Sequence, residues 1–222
     1  MLSLCKPFQS GRAKPKILHK MSTRNLTMVI SGGQTKIAQY GQWDGHPEST
    51  GATVLEFARK CANSEFLQKF KTRLESARFT TDADQKLRDE FLESIGAKDG
   101  WVDDAQSQQY RAKFPLDSRD HGADILELVA ASEGEVILRD RSEFGRDSLY
   151  CEYAYVIDLD AQTFEAYEGF QKVAGEPSSR FYTDTADRSG YFGCRLVSLW
   201  PIGALPSDED FINAFASDDD DE

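Results

Sequence analysis

The chain is short of several features that mark familiar classes of protein. No apolar run approaches the roughly 20 residues that cross a bilayer, so a soluble protein is expected. The four cysteines, Cys5, Cys61, Cys151 and Cys194, lie far apart and form no CxxC pair. That spacing argues against structural zinc or a disulfide framework and reads as buried reduced thiols. Neither GxGxxG, nor GxxxxGK followed by Ser or Thr, nor HExxH occurs, which removes the usual routes to nucleotide hydrolysis and zinc proteolysis. Basic charge is also scarce: 26 Lys and Arg stand against 38 Asp and Glu, giving a net charge of −12 and a pI near 4.8. A phosphate-dominated nucleic-acid interface and electrostatic docking on anionic lipid both need the opposite balance.

The basic residues that are present cluster early. Residues 1–20 hold Lys6, Arg12, Lys14, Lys16 and Lys20 with no acid. They read as a disordered arm or a detachable address, although Pro7, Gly11 and Pro15 interrupt the amphipathic helix of a transit peptide. A cytoplasmic location is expected, with a mitochondrial one as the alternative if the arm is an address. Met21 is a second candidate start. Residues 21–216 then read as one domain, and 217–222 as an acidic, solvated tail.

Within the domain the leading signal is a β-hairpin. Leu26, Met28 and Ile30 alternate with Asn25, Thr27 and Val29. After Ser31-Gly32-Gly33-Gln34, Ile37 faces opposite to Ala38 and Tyr40. Helical spacing follows at Val54–Cys61 behind Ser49 or Thr50, at Phe66–Leu74 behind Ser64, and at Leu87–Ile95 behind Asp82, with Leu87, Phe91, Leu92 and Ile95 as a buried stripe. Residues 103–113 read as partly helical, and Ser118 or Asp120 can start a helix through Ile125–Val129. Val136–Leu138 reads as a short strand or helical turn.

A run rich in aromatic and β-branched residues, Leu149–Asp158, reads as a central strand with Cys151, Tyr153, Tyr155 and Ile157 on one face. Partner strands follow at Thr163–Tyr167 and Cys194–Trp200, and Ser207 caps a last helix. The expected fold is α+β: an antiparallel sheet built from the N-terminal hairpin and the C-terminal strands, with a helical layer between them in sequence.

The candidate site is the loop that leaves the hairpin. Tyr40, Gln42, Trp43, Asp44 and His46 offer an aromatic face, an amide, a carboxylate and an imidazole on a turn bounded by Gly41 and Gly45. A small polar ligand, such as a sugar or nucleobase, or a protein partner suits that mixture without covalent chemistry. The competing structural reading makes Trp43 a core plug and Asp44 a turn residue.

No catalytic residue, metal ligand or cofactor is assigned. A hydrolase or transferase using the same loop is the alternative. Its nucleophile would be Cys151 or Cys194 beside Asp44 and His46, or an N-terminal Ser22, with Asp120 and His121 as a second acid–imidazole pair. Asp158 and Asp160 lack the further ligands of a calcium loop, and the Asn25-Leu26-Thr27 sequon reads as accidental because it lies in a strand.

Three segments, Thr23–Thr27, Ala38–Gly45 and Tyr153–Asp158, together resemble a family of hypothetical proteins from fungal and from phage or bacterial genomes. The likeness spans most of the chain after Met21, and AQYGQWDG is its most specific part. No activity is assigned to that family, so the resemblance implies only that hairpin and loop form one unit.

Overall fold

The computed structural model describes residues 23–97 and 101–216. The basic arm, Cys5, the Met21 start, Ser22 and the acidic tail lie outside the described residues. The hairpin forms as its alternation predicts: β1 (Asn25–Ser31) pairs antiparallel with β2 (Gln34–Gly41). Gly32 and Gly33 turn between them at φ 65° and 69°, a left-handed conformation that costs other residues more.

Asn63, not Ser64, caps the second helix of the pair α1 (Ala52–Cys61) and α2 (Ser64–Glu75), accepting the Glu65 and Phe66 N–H groups at 3.0 Å each. A short strand, β3 (Ala77–Phe79), precedes α3 (Asp82–Ser94). Thr81 caps α3 in a capping box with Asp84, one residue ahead of the expected start. Next come α4 (Asp104–Lys113), α5 (Ile125–Ala131) and β4 (Val136–Leu138), which lies parallel to β3.

The C-terminal part supplies β5 (Tyr153–Asp158), β6 (Thr163–Glu168), β7 (Arg195–Pro201) and α6 (Asp208–Asn213). The main sheet has the order β2-β1-β5-β6-β7. It is antiparallel except at its centre, where β1 runs parallel to β5 from Asn25 opposite Tyr153 to Ile30 opposite Asp158. The long helical connection between β1–β2 and β5 makes a parallel return possible, which a tight turn cannot. The result is the expected α+β architecture with one parallel joint in its main sheet.

Both faces of the sheet are covered. Val29, Ile37, Tyr155, Ile157 and Phe164 pack with α1, α2, α5 and Phe211 of α6. Leu26, Met28, Ala38, Ala154, Val156 and Tyr167 form a smaller core on the other face, with Phe181 and Cys194 from the long 170–194 segment. Full burial of each Val, Leu, Ile, Phe or Met among them contributes about 1.5–3 kcal/mol. Cys151 belongs to this second core and not to the face of Tyr155. The strand begins only at Tyr153, and the turn at residues 148–150 ahead of it resets the alternation. Cys61, Cys151 and Cys194 are free buried thiols, and burial pushes the Cys61 pKa up to about 12.

The expected apolar stripe of α3 docks it only in part: Phe91 packs edge to face on Phe114 at 5.6 Å, but Leu87 is 59% exposed, and the buried residues are Asp84 and Arg88. Among the described residues no helix is long and apolar enough to cross a membrane.

Candidate functional site

Construction of the candidate loop starts beneath it, at Asn25. This side chain is fully buried, and its Nδ2 donates to the Trp43 carbonyl at 3.3 Å. A Cβ at Gly41 would stand 2.5 Å from Asn25 Oδ1, and one at Gly45 2.7 Å from the Thr23 carbonyl. The two glycines therefore provide clearance over Asn25, whereas the left-handed turn belongs to Asp44, at φ 54°. That turn aims the Asp44 carbonyl at the next helix, where the Ser49 hydroxyl, the Thr50 hydroxyl (2.7 Å) and the Thr50 N–H (3.1 Å) all donate to it. Ser49 and Thr50 thus brace the loop instead of capping α1 with a free hydroxyl, and one wide turn, Pro47–Gly51, intervenes. Tyr155 Oη donates to the Gly45 carbonyl at 2.9 Å and ties the loop to the central strand. Complete burial of Asn25 also excludes a glycan there in the folded chain.

The five predicted site residues divide. Tyr40 lines a cavity of about 480 Å³ with Gln39, Leu116, Asp117, Arg119, Arg139, Arg141 and Phe144. Gln42, Trp43 and Asp44 line a second cavity of about 310 Å³, shared with Thr53, Arg119, His121 and Asp124 among others. Arg119 borders both, and Tyr40 Oη donates to Gln42 Oε1 at 2.6 Å, so the two depressions adjoin. His46 lines neither. Its Nε2 lies 2.9 Å from Thr23 Oγ1 and its ring sits 5.6 Å from that of Tyr153.

His121 does enter the second cavity, with Nε2 only 2.6 Å from the Pro115 carbonyl, which requires that nitrogen to carry the proton. Cys151 and Cys194 lie in the core behind the sheet and line neither cavity.

The arginines are the residues that reading the sequence missed. Arg139 donates through Nε and Nη2 to the two oxygens of Asp117, at 2.7 and 2.8 Å. Arg88 donates to the same carboxylate at 2.9 Å, and the Tyr110 hydroxyl also bonds to it. Burial alone would raise the Asp117 pKa, but the hydrogen bonds from Arg139, Tyr110 and Arg88 together hold it below the ordinary value. Arg139, in turn, is raised by its bond to Asp117. Scattered over positions 88 to 141, these residues share no motif, and only the fold assembles them.

Fold and site together describe an α+β domain with a polar, ligand-sized cleft where the hairpin leaves the sheet. Set against protein-family models, curated proteins and solved structures, the chain matches none of them.

Proposed function

We propose that this protein binds a small polar ligand, without covalent chemistry, in the cleft formed by Tyr40–Asp44, residues 116–124 and residues 139–144. The observation that carries this reading is the meeting of two cavities at Arg119, which brings rings, an amide, carboxylates and guanidiniums from separate segments onto one concavity. Volumes of a few hundred Å³ suit a small molecule, and the concave shape favours one over a protein partner.

A thermal-shift screen of the full chain against sugars, nucleotides and other metabolites tests it. A ligand at a hundred times its dissociation constant stabilises the fold by about 2.7 kcal/mol. Hits should vanish in a folded Trp43→Ala or Arg119→Ala variant, and hits indifferent to both would move the site elsewhere.

One observation favours a second reading, a hydrolase or transferase: His121 faces the same cavity as Asp44. Against it, the Ser49 and Thr50 hydroxyls nearby are both committed to the Asp44 carbonyl. Turnover of a bound ligand that His121→Ala abolishes would establish the enzyme.

A further inference from the structure

Resting on that reading of the cleft, the geometry points to a phosphoryl group as the part of the ligand held at the arginine end, and so to a small phosphorylated metabolite as the ligand. Three guanidiniums, from Arg119, Arg139 and Arg141, line the larger cavity. Arg119 and Arg141 are exposed, and among the described residues neither forms an ion pair, in a chain whose acids outnumber its bases.

Among the described residues no carboxylate is bonded to either of them, although Arg119 also borders the second cavity with Asp44, Asp120 and Asp124, and Arg141 borders a further depression with Asp140, Glu143 and Asp147. Asp120 pairs with Arg111 at 2.8 Å, Asp140 accepts the Ser142 N–H at 2.9 Å, and Glu143 pairs with Arg146 at 3.4 Å. Asp117, whose side chain is 1% exposed, is the one acid lining the larger cavity, and it is already shared between Arg139 and the buried Arg88. Within the larger cavity, then, one carboxylate stands against the guanidiniums of Arg119, Arg139 and Arg141.

A single carboxylate ligand is saturated by one bidentate arginine. A phosphoryl group brings up to two charges and three terminal oxygens, which is the demand three arginines meet. Arg139 is held rigidly, with Nε and Nη2 on Asp117, Nη2 also 3.4 Å from Tyr110 Oη and Nη1 3.5 Å from Gln85 Oε1, so it offers the ligand one Nη1 N–H while Arg119 and Arg141 supply the open forks. Tyr40 and Phe144, packed edge to face at 5.0 Å, supply a wall for the body of the ligand. An extended nucleic-acid strand needs a basic surface, which the net charge of −12 opposes.

The test uses the full chain, with pyrophosphate and then the matched pair adenosine 5′-monophosphate and adenosine as probes. At about 10 mM, where even a ~1 mM site is nine-tenths filled, pyrophosphate should shift the side-chain Nε–Hε resonances of Arg119, Arg139 and Arg141. The monophosphate should bind about tenfold or more tighter than the nucleoside, and Arg141→Ala should erase most of that difference while Arg141→Lys restores part of it. Unmoved arginine resonances would overturn the phosphoryl assignment. So would equal affinity for adenosine and its monophosphate, yet binding of adenosine that depends on Trp43 would leave the cleft standing as a ligand site. Binding that is insensitive to both Trp43→Ala and Arg141→Ala would remove the cleft as well.

Discussion

At the scale of single residues, Asp117 carries more than any other side chain near the cleft, because it neutralises one buried arginine and orients another. Replacement by asparagine leaves Arg88, 4% exposed, and Arg139 without their counter-charge, and breaking a buried pair in this way costs about 3–5 kcal/mol. Urea unfolding of Asp117→Asn should show the loss as a lower midpoint at unchanged slope. Its pKa is depressed on folding, so its contribution is complete above the unfolded carboxyl value of about 3.9 and disappears as the pH falls through the lower folded value.

Gly45 makes a different prediction. Alanine there meets the Thr23 carbonyl and Asn25, and the overpacking should cost about 1–3 kcal/mol and displace Trp43, readable as a shifted tryptophan emission. The glycines that bound the loop were legible in the sequence, but their purpose was not. A glycine that bends the chain and one that lets it pass over a neighbour look alike until the neighbour is placed.

At the scale of elements, α3 with α4 behaves unlike the rest of the helical layer. The α1 and α2 stripes of Val54, Leu55, Phe57, Phe70 and Leu74 were legible, since 3.6-residue periodicity reports burial against apolar surface. The inward face of α3 largely escaped that test because, beside Phe91 on Phe114, it is ionic: Asp84 meets Arg78 at 2.5 Å and Arg88 meets Asp117. Periodicity of apolar residues cannot register a helix docked by charge. A physical consequence follows for acid stability. The Arg78 guanidinium and the Thr81 hydroxyl and N–H hold the Asp84 carboxyl well below its usual range, as Asp117 is held by its own partners. Both docking contacts are therefore intact above about pH 4 and weaken only below it. Pepsin at about pH 3 should cut first within residues 82–114, before the sheet opens, and far more slowly there in brief exposures nearer pH 4.5. Simultaneous cleavage in β1 and β5 would show that acid unfolds the chain as one unit.

The whole molecule is organised by the parallel joint between β1 and β5. Each partner was legible as a strand, from the alternation of Asn25–Ser31 and the aromatic run ending at Asp158. Their pairing was not, because the residues that meet, Asn25 with Tyr153 and Val29 with Ile157, are separated by the entire helical layer. The same gap explains why the arginine cleft was invisible: Tyr40 comes from the hairpin, while Arg119, Arg139 and Arg141 come from the connection that the parallel return requires. The joint also sets where stability resides. β1 is buried along its whole length and flanked by β2 and β5, and β5 is flanked by β1 and β6. β7 is an edge strand, and its side chains are exposed or half-exposed throughout. Amides that open only with global unfolding should therefore lie in β1 and β5, with protection approaching the full unfolding free energy, while those of β7 exchange through smaller openings. Hydrogen exchange followed by NMR at neutral pH resolves the two groups. If β7 is protected as strongly as β5, its free edge is covered in solution, and a second chain or the residues beyond 216 would have to be sought on it.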